Sequence, residues 1–261
     1  MKVELVPSAV GGGTAAASAS VSQYLTSIRI NDSICIDAGS IGFHADLEVQ
    51  RAIRHLFLSH SHIDHIASLP MLLDNVFGEH PEGVCVHAGA ETEAALREDI
   101  FNDRTWPDFI RISEQGPVRL LDLQRLEAGR PVEIDGVQVT PIPVEHIVPT
   151  FGFLVDDGRS AVLIATDTAP CAALREAANA VPHLKAVVLE ASFPEKLLWL
   201  ADASMHLTPR LFAEEIAQFA GDPTFFAVHL KATHRDEIIR ELDDAGVGDV
   251  VVMEAGHSYE L

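Results

Sequence analysis

Four side chains able to bind a metal ion fall within six residues, His60-Ser-His-Ile-Asp-His65. They follow a short apolar run, residues 56–59, that reads as a buried strand. They precede residues 66–77, where Ile66, Leu69, Leu72, Leu73 and Val76 recur at helical spacing. The cluster therefore lies on a strand-to-helix loop, where functional groups concentrate in layered folds. In an extended segment residues i and i+2 point the same way, so His60 and His62 aim two imidazoles at one point. Asp64 and His65 come one turn later, at a helix start, and point elsewhere. Four ligands this close suit two adjacent cations better than one, and paired hydrolytic metals sit about 3.5–4 Å apart. A chance cluster on a surface loop is the competing reading, and the flanking strand and helix oppose it.

Those residues need a scaffold that gathers strand ends. Residues 2–10 start a strand and end in Gly11-Gly12-Gly13, which permits close backbone approach. Residues 21–30 and 33–37 flank Asn31-Asp32, a hairpin turn, and the second strand ends in Asp37. An acid there is costly unless paired, so Asp37 reads as an acceptor orienting a ligating histidine, against a simple turn-initiating role. Residues 46–54 are helical, 83–87 a strand, and 91–101 an amphipathic helix. The aromatic-rich stretch 101–109 breaks that helix. Trp106 and Phe109 read as a packed corner or as a stacking surface for a base.

Asp135-Gly136 and Asp157-Gly158, each between apolar alternations, predict two hairpins in the middle of the chain. His146 follows the first and Asp167 the second. Further on, residues 184–191 form a strand ending in Glu190, followed by a helix at 194–203. His206-Leu-Thr-Pro209 opens another helix with Thr208 as N-cap and Pro209 in the first turn. Residues 225–228 form a strand ending in His229. Thr233 caps a helix running to about residue 244, and 249–253 is a final strand. With no repeat, linker or low-complexity segment, residues 1–261 read as one domain.

At 261 residues the chain can bury a large core. Its 18 Lys and Arg stand against 39 Asp and Glu, a formal charge of −21, with no basic run. That balance opposes a grip on nucleic acid. Cys35, Cys85 and Cys171 are scattered and suggest no disulfide framework, which favours a reducing, cytoplasmic setting. The first 25 residues lack the pattern of a signal peptide, and no stretch has transmembrane length without charge.

If the strand ends meet at one edge of a sheet sandwich, one cation takes His60, His62 and His146. The other takes Asp64, His65 and His229, and Asp167 bridges them. Nitrogen-rich ligation with carboxylates suits zinc first, with manganese or iron as alternatives. A water shared by two such cations is largely hydroxide near neutral pH, which predicts a hydrolase.

HSHIDH, preceded by Asp37 and followed by His146, Asp167 and His229, resembles the metallo-β-lactamase superfamily. That resemblance implies an α/β fold, a four-layer αββα sandwich with two divalent metals at one edge of the paired sheets. Residues 101–109, Glu190-Ala-Ser-Phe193, His206-Leu-Thr-Pro209 and His229-Leu-Lys231 resemble the class II 3′,5′-cyclic nucleotide phosphodiesterases. It implies hydrolysis of a small phosphodiester, 3′,5′-cyclic AMP or GMP, to the 5′-nucleotide, with no nucleic-acid or membrane partner and a homodimer among the possible assemblies. A related Glu–His pair in tRNA 3′-processing endonucleases implies that His206, held by Glu190, protonates the leaving oxygen. Asp64 then accepts the spare proton, and Lys231 either contacts phosphate or is simply solvated. The alternatives are a tRNA 3′-processing endonuclease-like activity and a lactone or thioester hydrolase. A non-catalytic nucleotide- or metal-binding protein is the reading from another class. His44, His55, His80, His87, His183 and His234 read as surface or satisfied core residues, and His257 as outside the site.

Overall fold

The computed structural model describes residues 1–8, 24–246 and 248–261. The triple glycine and the start of the 21–30 run lie outside them. In chain order come β1 (Lys2–Leu5), β2 (Ile28–Ile30), β3 (Ile34–Ile36), α1 (Leu47–Ala52) and β4 (His55–Phe57). Then follow α2 (Ile63–Ile66), α3 (Leu69–Asn75), β5 (Val84–Ala88), α4 (Ala90–Ala95), α5 (Phe109–Gln115) and β6 (Leu121–Arg125). The middle holds β7 (Val132–Ile134), β8 (Val137–Val144), β9 (Thr150–Asp156), β10 (Ala161–Ala165) and α6 (Ala172–Asn179). The remainder is β11 (Leu184–Glu190), α7 (Leu198–Ser204), α8 (Pro209–Ile216), β12 (Thr224–Val228), α9 (Arg235–Asp244), β13 (Val251–Val252) and β14 (Ser258–Glu260).

The chain divides into two compact units, 2–126 with 255–260, and 127–254 with the two terminal residues. The first unit holds one sheet in the order β14-β1-β2-β3-β4-β5-β6. Its pairs are antiparallel from β14 to β3 and parallel from β3 to β6. The second unit holds a sheet in the order β13-β12-β11-β10-β9-β8-β7. It is antiparallel from β7 to β10 and parallel from β10 to β13. Both are mixed α/β sheets with the same succession of pairings.

Alternation explains the packing. In the first sheet Leu56, Val84, Val86 and Leu121 share a cluster with Leu69, Leu72 and Leu73 of α3 and with Phe109 and Ile110 of α5. In the second, Leu163, Val187, Leu189 and Ala227 meet Leu174, Phe212, Ile216 and Ile238 from α6, α8 and α9. Each fully buried side chain of this size contributes about 1.5–3 kcal/mol. Ala186 and Val188, on the other face of β11, are buried as well. Strands buried on both faces read as continuous apolar runs, as residues 186–189 do.

The hairpins form as the turn residues require. Asn31 and Asp135 take positive φ (50° each) and Gly136 follows at 83°. Several expectations need correction. The helix expected over 66–77 is two helices, because Pro70 has no N–H to offer Ile66 and Ser68 turns its hydroxyl to the Ala38 carbonyl instead. Thr233 does not cap α9; a 3-10 turn over Ala232–His234 intervenes and His234 takes the cap position. The helix expected over 91–101 ends its α-form at Ala95 and continues as one wide turn to Ile100. The elements α5, β6, α6 and β14 were not anticipated. Trp106 packs partly buried against the buried pair Phe101 and Phe109, the packed-corner reading. Among the described residues, no helix is long and apolar enough to cross a membrane.

Candidate functional site

In the first unit the chemistry collects beyond the C-terminal ends of β3 and β4. Asp37 follows β3 in the left-handed region (φ 62°), and its N–H donates to the Phe57 carbonyl at 2.8 Å. The carboxylate is fully buried. It accepts from the Ser59 N–H at 2.7 Å, the Ser59 hydroxyl at 2.9 Å and His65 Nδ1 at 2.7 Å. The Ser59 hydroxyl, having donated to Asp37, accepts from His60 Nδ1 at 2.9 Å. One buried carboxylate thus holds His65 directly and His60 through a serine. Both rings carry their proton on Nδ1, and their Nε2 lone pairs face away.

His60 Nε2 lies 2.9 Å from His62 Nδ1, and His65 Nε2 lies 3.9 Å from Asp64 Oδ2. Short helix α2 sets Asp64 and His65. Thr26 N–H donates to the Asp64 carbonyl at 2.8 Å and Ala38 N–H to the His65 carbonyl at 2.7 Å. Gly39 makes this approach feasible, since a Cβ there would stand 2.0 Å from the Asp64 carbonyl oxygen.

The second unit repeats the logic beyond β10, β11 and β12. Glu190, fully buried at the end of β11, accepts His206 Nδ1 with both oxygens, at 2.8 and 2.9 Å. It also accepts the Thr168 N–H at 2.6 Å and the Ser192 hydroxyl at 2.5 Å. Ser192 in turn accepts from His229 Nδ1 at 3.0 Å. His229 has φ 58°, which swings its ring back from the end of β12. His146 Nδ1 donates to the carbonyl of Met205 at 3.2 Å. With their Nδ1 atoms engaged, His146, His206 and His229 direct Nε2 at Asp167, at 3.7, 3.9 and 3.6 Å from its carboxylate oxygens.

The donor types in both units suit divalent cations, and the second unit also shows the required spacing. Ligand atoms about 2.0–2.2 Å from one ion sit about 3–4 Å from each other, and imidazole lone pairs with carboxylate oxygens are ordinary zinc donors. Asp167, His206 and His229 are one such group, each with a ligand atom within 4.8 Å of the others. Burial pushes His146 below the ordinary histidine range despite Asp167 nearby, so its neutral, ligating form is favoured. Burial also works against a charged His206, but the charge and hydrogen bond of Glu190, helped by Asp167, raise it above the ordinary value.

Sequence reasoning missed Ser59, Ser192 and the Met205 carbonyl. The two serines sit beside a histidine or near an acid in sequence, at Ser59-His60 and Glu190-Ala-Ser192. Lys231 places its ammonium 5.7 Å from the Phe193 ring centroid, and Phe193 packs edge-on to His206 at 5.6 Å. His257 packs on Tyr259.

The chain matches the family model described as the β-lactamase superfamily domain over residues 36–230. Ribonuclease Z of Haloarcula marismortui is 26% identical, over 78% of this chain and 79% of that protein. A probable 3′,5′-cyclic-nucleotide phosphodiesterase of Yersinia pestis is 25% identical, over 81% of this chain and 69% of its own. Among solved structures, unliganded yeast PDE1 superposes with a TM-score of 0.73 at 17% identity, covering 100% of this chain and 99% of that one. Human tRNase Z, short form, gives 0.67 at 13% identity, with 100% and 99% covered. The metallo-β-lactamase fold protein YhfI from Bacillus subtilis gives 0.73 at 16%, again with 100% and 99% covered. The matched domain, the shared fold and the two His/Asp clusters place the chain in the metallo-β-lactamase superfamily of divalent-metal hydrolases.

Proposed function

We propose that the protein is a dinuclear phosphodiesterase that opens a 3′,5′-cyclic nucleotide to the 5′-nucleotide. His60, His62, Asp64, His65, His146, Asp167 and His229 are its ligands, zinc is its first-choice metal, and residues 1–261 work as one hydrolase domain. When bound, two such cations supply an activated water and offset phosphate charge.

The chain's own groups do the rest. Asp37 and Ser59 fix the tautomers of His65 and His60, and Ser192 fixes that of His229, so little reorganisation precedes reaction. Asp64 accepts the spare proton of the attacking water. His206, held at Nδ1 by Glu190, carries a second proton on Nε2 and delivers it to the departing 3′ oxygen. Lys231, above Phe193 and near His206, adds positive charge for the phosphate. The observation that carries this reading is the doubly accepted Nδ1 of His206 beside Asp167. Thioester hydrolysis expels a thiolate, a far better leaving group than an alkoxide, and has little use for such a donor. The phosphodiesterase relative of Yersinia pestis supports the substrate class.

A second reading, a ribonuclease, is favoured by the Haloarcula relative. The −21 charge opposes it, because gripping an RNA backbone calls for a basic face. The test is to load the protein with zinc or manganese and offer 3′,5′-cyclic AMP, 3′,5′-cyclic GMP, 2′,3′-cyclic AMP and a tRNA precursor, separating products by chromatography. The proposal expects 5′-AMP or 5′-GMP, abolished by chelator. Cleavage of the tRNA precursor alone would replace it with the second reading.

A further inference from the structure

A second set of metal-binding side chains lies in the first unit, among residues the hydrolase chemistry does not use. Cys85 and His87 alternate onto one face of β5, and His55 stands directly across the parallel ladder from Cys85 on β4. His87 Nε2 is 3.3 Å from His55 Nδ1 and 3.3 Å from Cys85 Sγ. All three ligand atoms lie within 4.8 Å of one another. His87 is 4% exposed, and its ring stacks on Phe57 at 4.2 Å and on His55 at 5.6 Å. On β6, Asp122 faces Cys85 across the next rung.

Hydrogen bonding alone accounts poorly for this arrangement. One ring nitrogen offers either one proton or one lone pair, so His87 Nε2 serves one of its two close neighbours and not both. A cation serves all three donors at once. The two 3.3 Å separations from His87 Nε2 are close to the edges of a tetrahedron with nitrogen about 2.0–2.1 Å and sulfur about 2.3 Å from zinc.

We propose that His55, Cys85 and His87 form a separate zinc-binding site, with a water in the fourth position and Asp122 accepting that water's hydrogen bond. Binding converts the Cys85 thiol to a thiolate and releases its proton to solvent, so one proton leaves for each ion taken up. The thiolate then offsets one of the ion's two positive charges. Without an ion His87 is held in its ligating, neutral form, whereas Cys85 is held as the thiol, so uptake must displace that proton. Burial, and then Asp122, push the Cys85 thiol up to about 12. Burial, with His55 adding to it and Asp122 opposing, pushes His87 down to about 4, leaving a neutral imidazole. The bound ion would clip β4 to β5, one strand-length from the loop that carries His60. The proposal is independent of which diester the enzyme cleaves.

The test exploits sulfur. None of the seven hydrolase ligands is a cysteine, and Cys35 and Cys171 are buried in separate clusters. Cobalt-loaded wild-type protein should show a sulfur-to-cobalt charge-transfer band in the near ultraviolet. Cys85→Ser, close to isosteric, should abolish the band and lower bound zinc by one ion per chain, with the far-ultraviolet dichroism unchanged. His55→Asn should weaken the band. A cobalt-replete wild type without the band would overturn the proposal and leave a packed, hydrogen-bonded cluster. Persistence of the band in Cys85→Ser would overturn it equally.

Discussion

Glu190 holds Nδ1 of His206 with both carboxylate oxygens, at 2.8 and 2.9 Å. Asp37 holds Nδ1 of His65 with a single oxygen, at 2.7 Å. In each unit a serine hydroxyl relays that carboxylate to a second histidine, Ser192 to His229 and Ser59 to His60. The two relays use different acids at the ends of parallel strands, and both leave Nε2 available for chemistry.

The relays have a measurable weight. Asp37→Asn and Ser59→Ala should each lower metal affinity by about 10–100-fold, since groups that orient ligands usually matter on that scale. Competition with a chelating indicator reads this directly. Ser192→Ala should behave alike. Wild-type affinity in Ser59→Ala would mean that the relay does not orient His60.

Gly39 is the tightest point of the first cluster. Gly39→Ala puts a methyl against the Asp64 carbonyl and the Thr26 amide, at 2.0 and 2.5 Å before relaxation. Overpacking of this kind costs about 1–3 kcal/mol. We expect a lower melting temperature and weaker metal binding together, because α2 must move to make room. A variant with unchanged metal affinity would show that α2 tolerates the displacement.

The second unit's core offers a test of packing rather than of proton transfer. Phe212 is fully buried among Leu174, Leu189 and Ile216. Phe212→Ala should destabilise by about 3–5 kcal/mol. Each kcal/mol lowers the melting temperature by about 2–4 °C in a chain of this size. Its turnover per folded molecule should stay near wild type.

Glu93 gives a pH-dependent stability test. It accepts from Arg97 at 3.1 Å and from Arg125 at 2.7 Å, joining α4 to the end of β6. The hydrogen bond from Arg125, against some burial and with help from Arg97, holds its carboxyl below the ordinary range. A depressed carboxylate stabilises the fold above its unfolded value of about 4.3 and loses that contribution as pH falls through the folded value. Glu93→Gln should therefore lower stability at pH 7 by up to about 1 kcal/mol. The difference from wild type should shrink as pH falls below that range, as denaturant titrations would show.

What the sequence made legible follows from how local its signals are. The proposed ligands of HSHIDH announce themselves because i, i+2 spacing on an extended segment has one outcome. The Asn31 and Asp135 turns and the Thr208 cap are likewise set by neighbouring residues. The break before Leu69 was missed, because the apolar periodicity runs straight through Pro70, which sits in the first turn of α3. Ser59 and Ser192 were hidden because a serine's role depends on which carboxylate folding brings beside it. β6 was hidden because Leu121-Asp-Leu-Gln-Arg125 has only a short alternation and depends on β5 for pairing. The cluster of His55, Cys85 and His87 was hidden because β4 and β5 are thirty residues apart in sequence and adjacent only in the sheet.

In the proposed phosphodiesterase reaction His206 is the proton donor. The most direct measurement compares wild type and His206→Asn on 3′,5′-cyclic AMP and on bis(p-nitrophenyl) phosphate, with bound metal quantified in both proteins. The predicted result is a fall of about 10²–10⁴ in kcat for the cyclic nucleotide, whose alkoxide needs a proton. The loss should be far smaller for the nitrophenyl diester, and metal content should not change. Equal rates on the cyclic nucleotide, or loss of metal with the imidazole, would contradict the assignment.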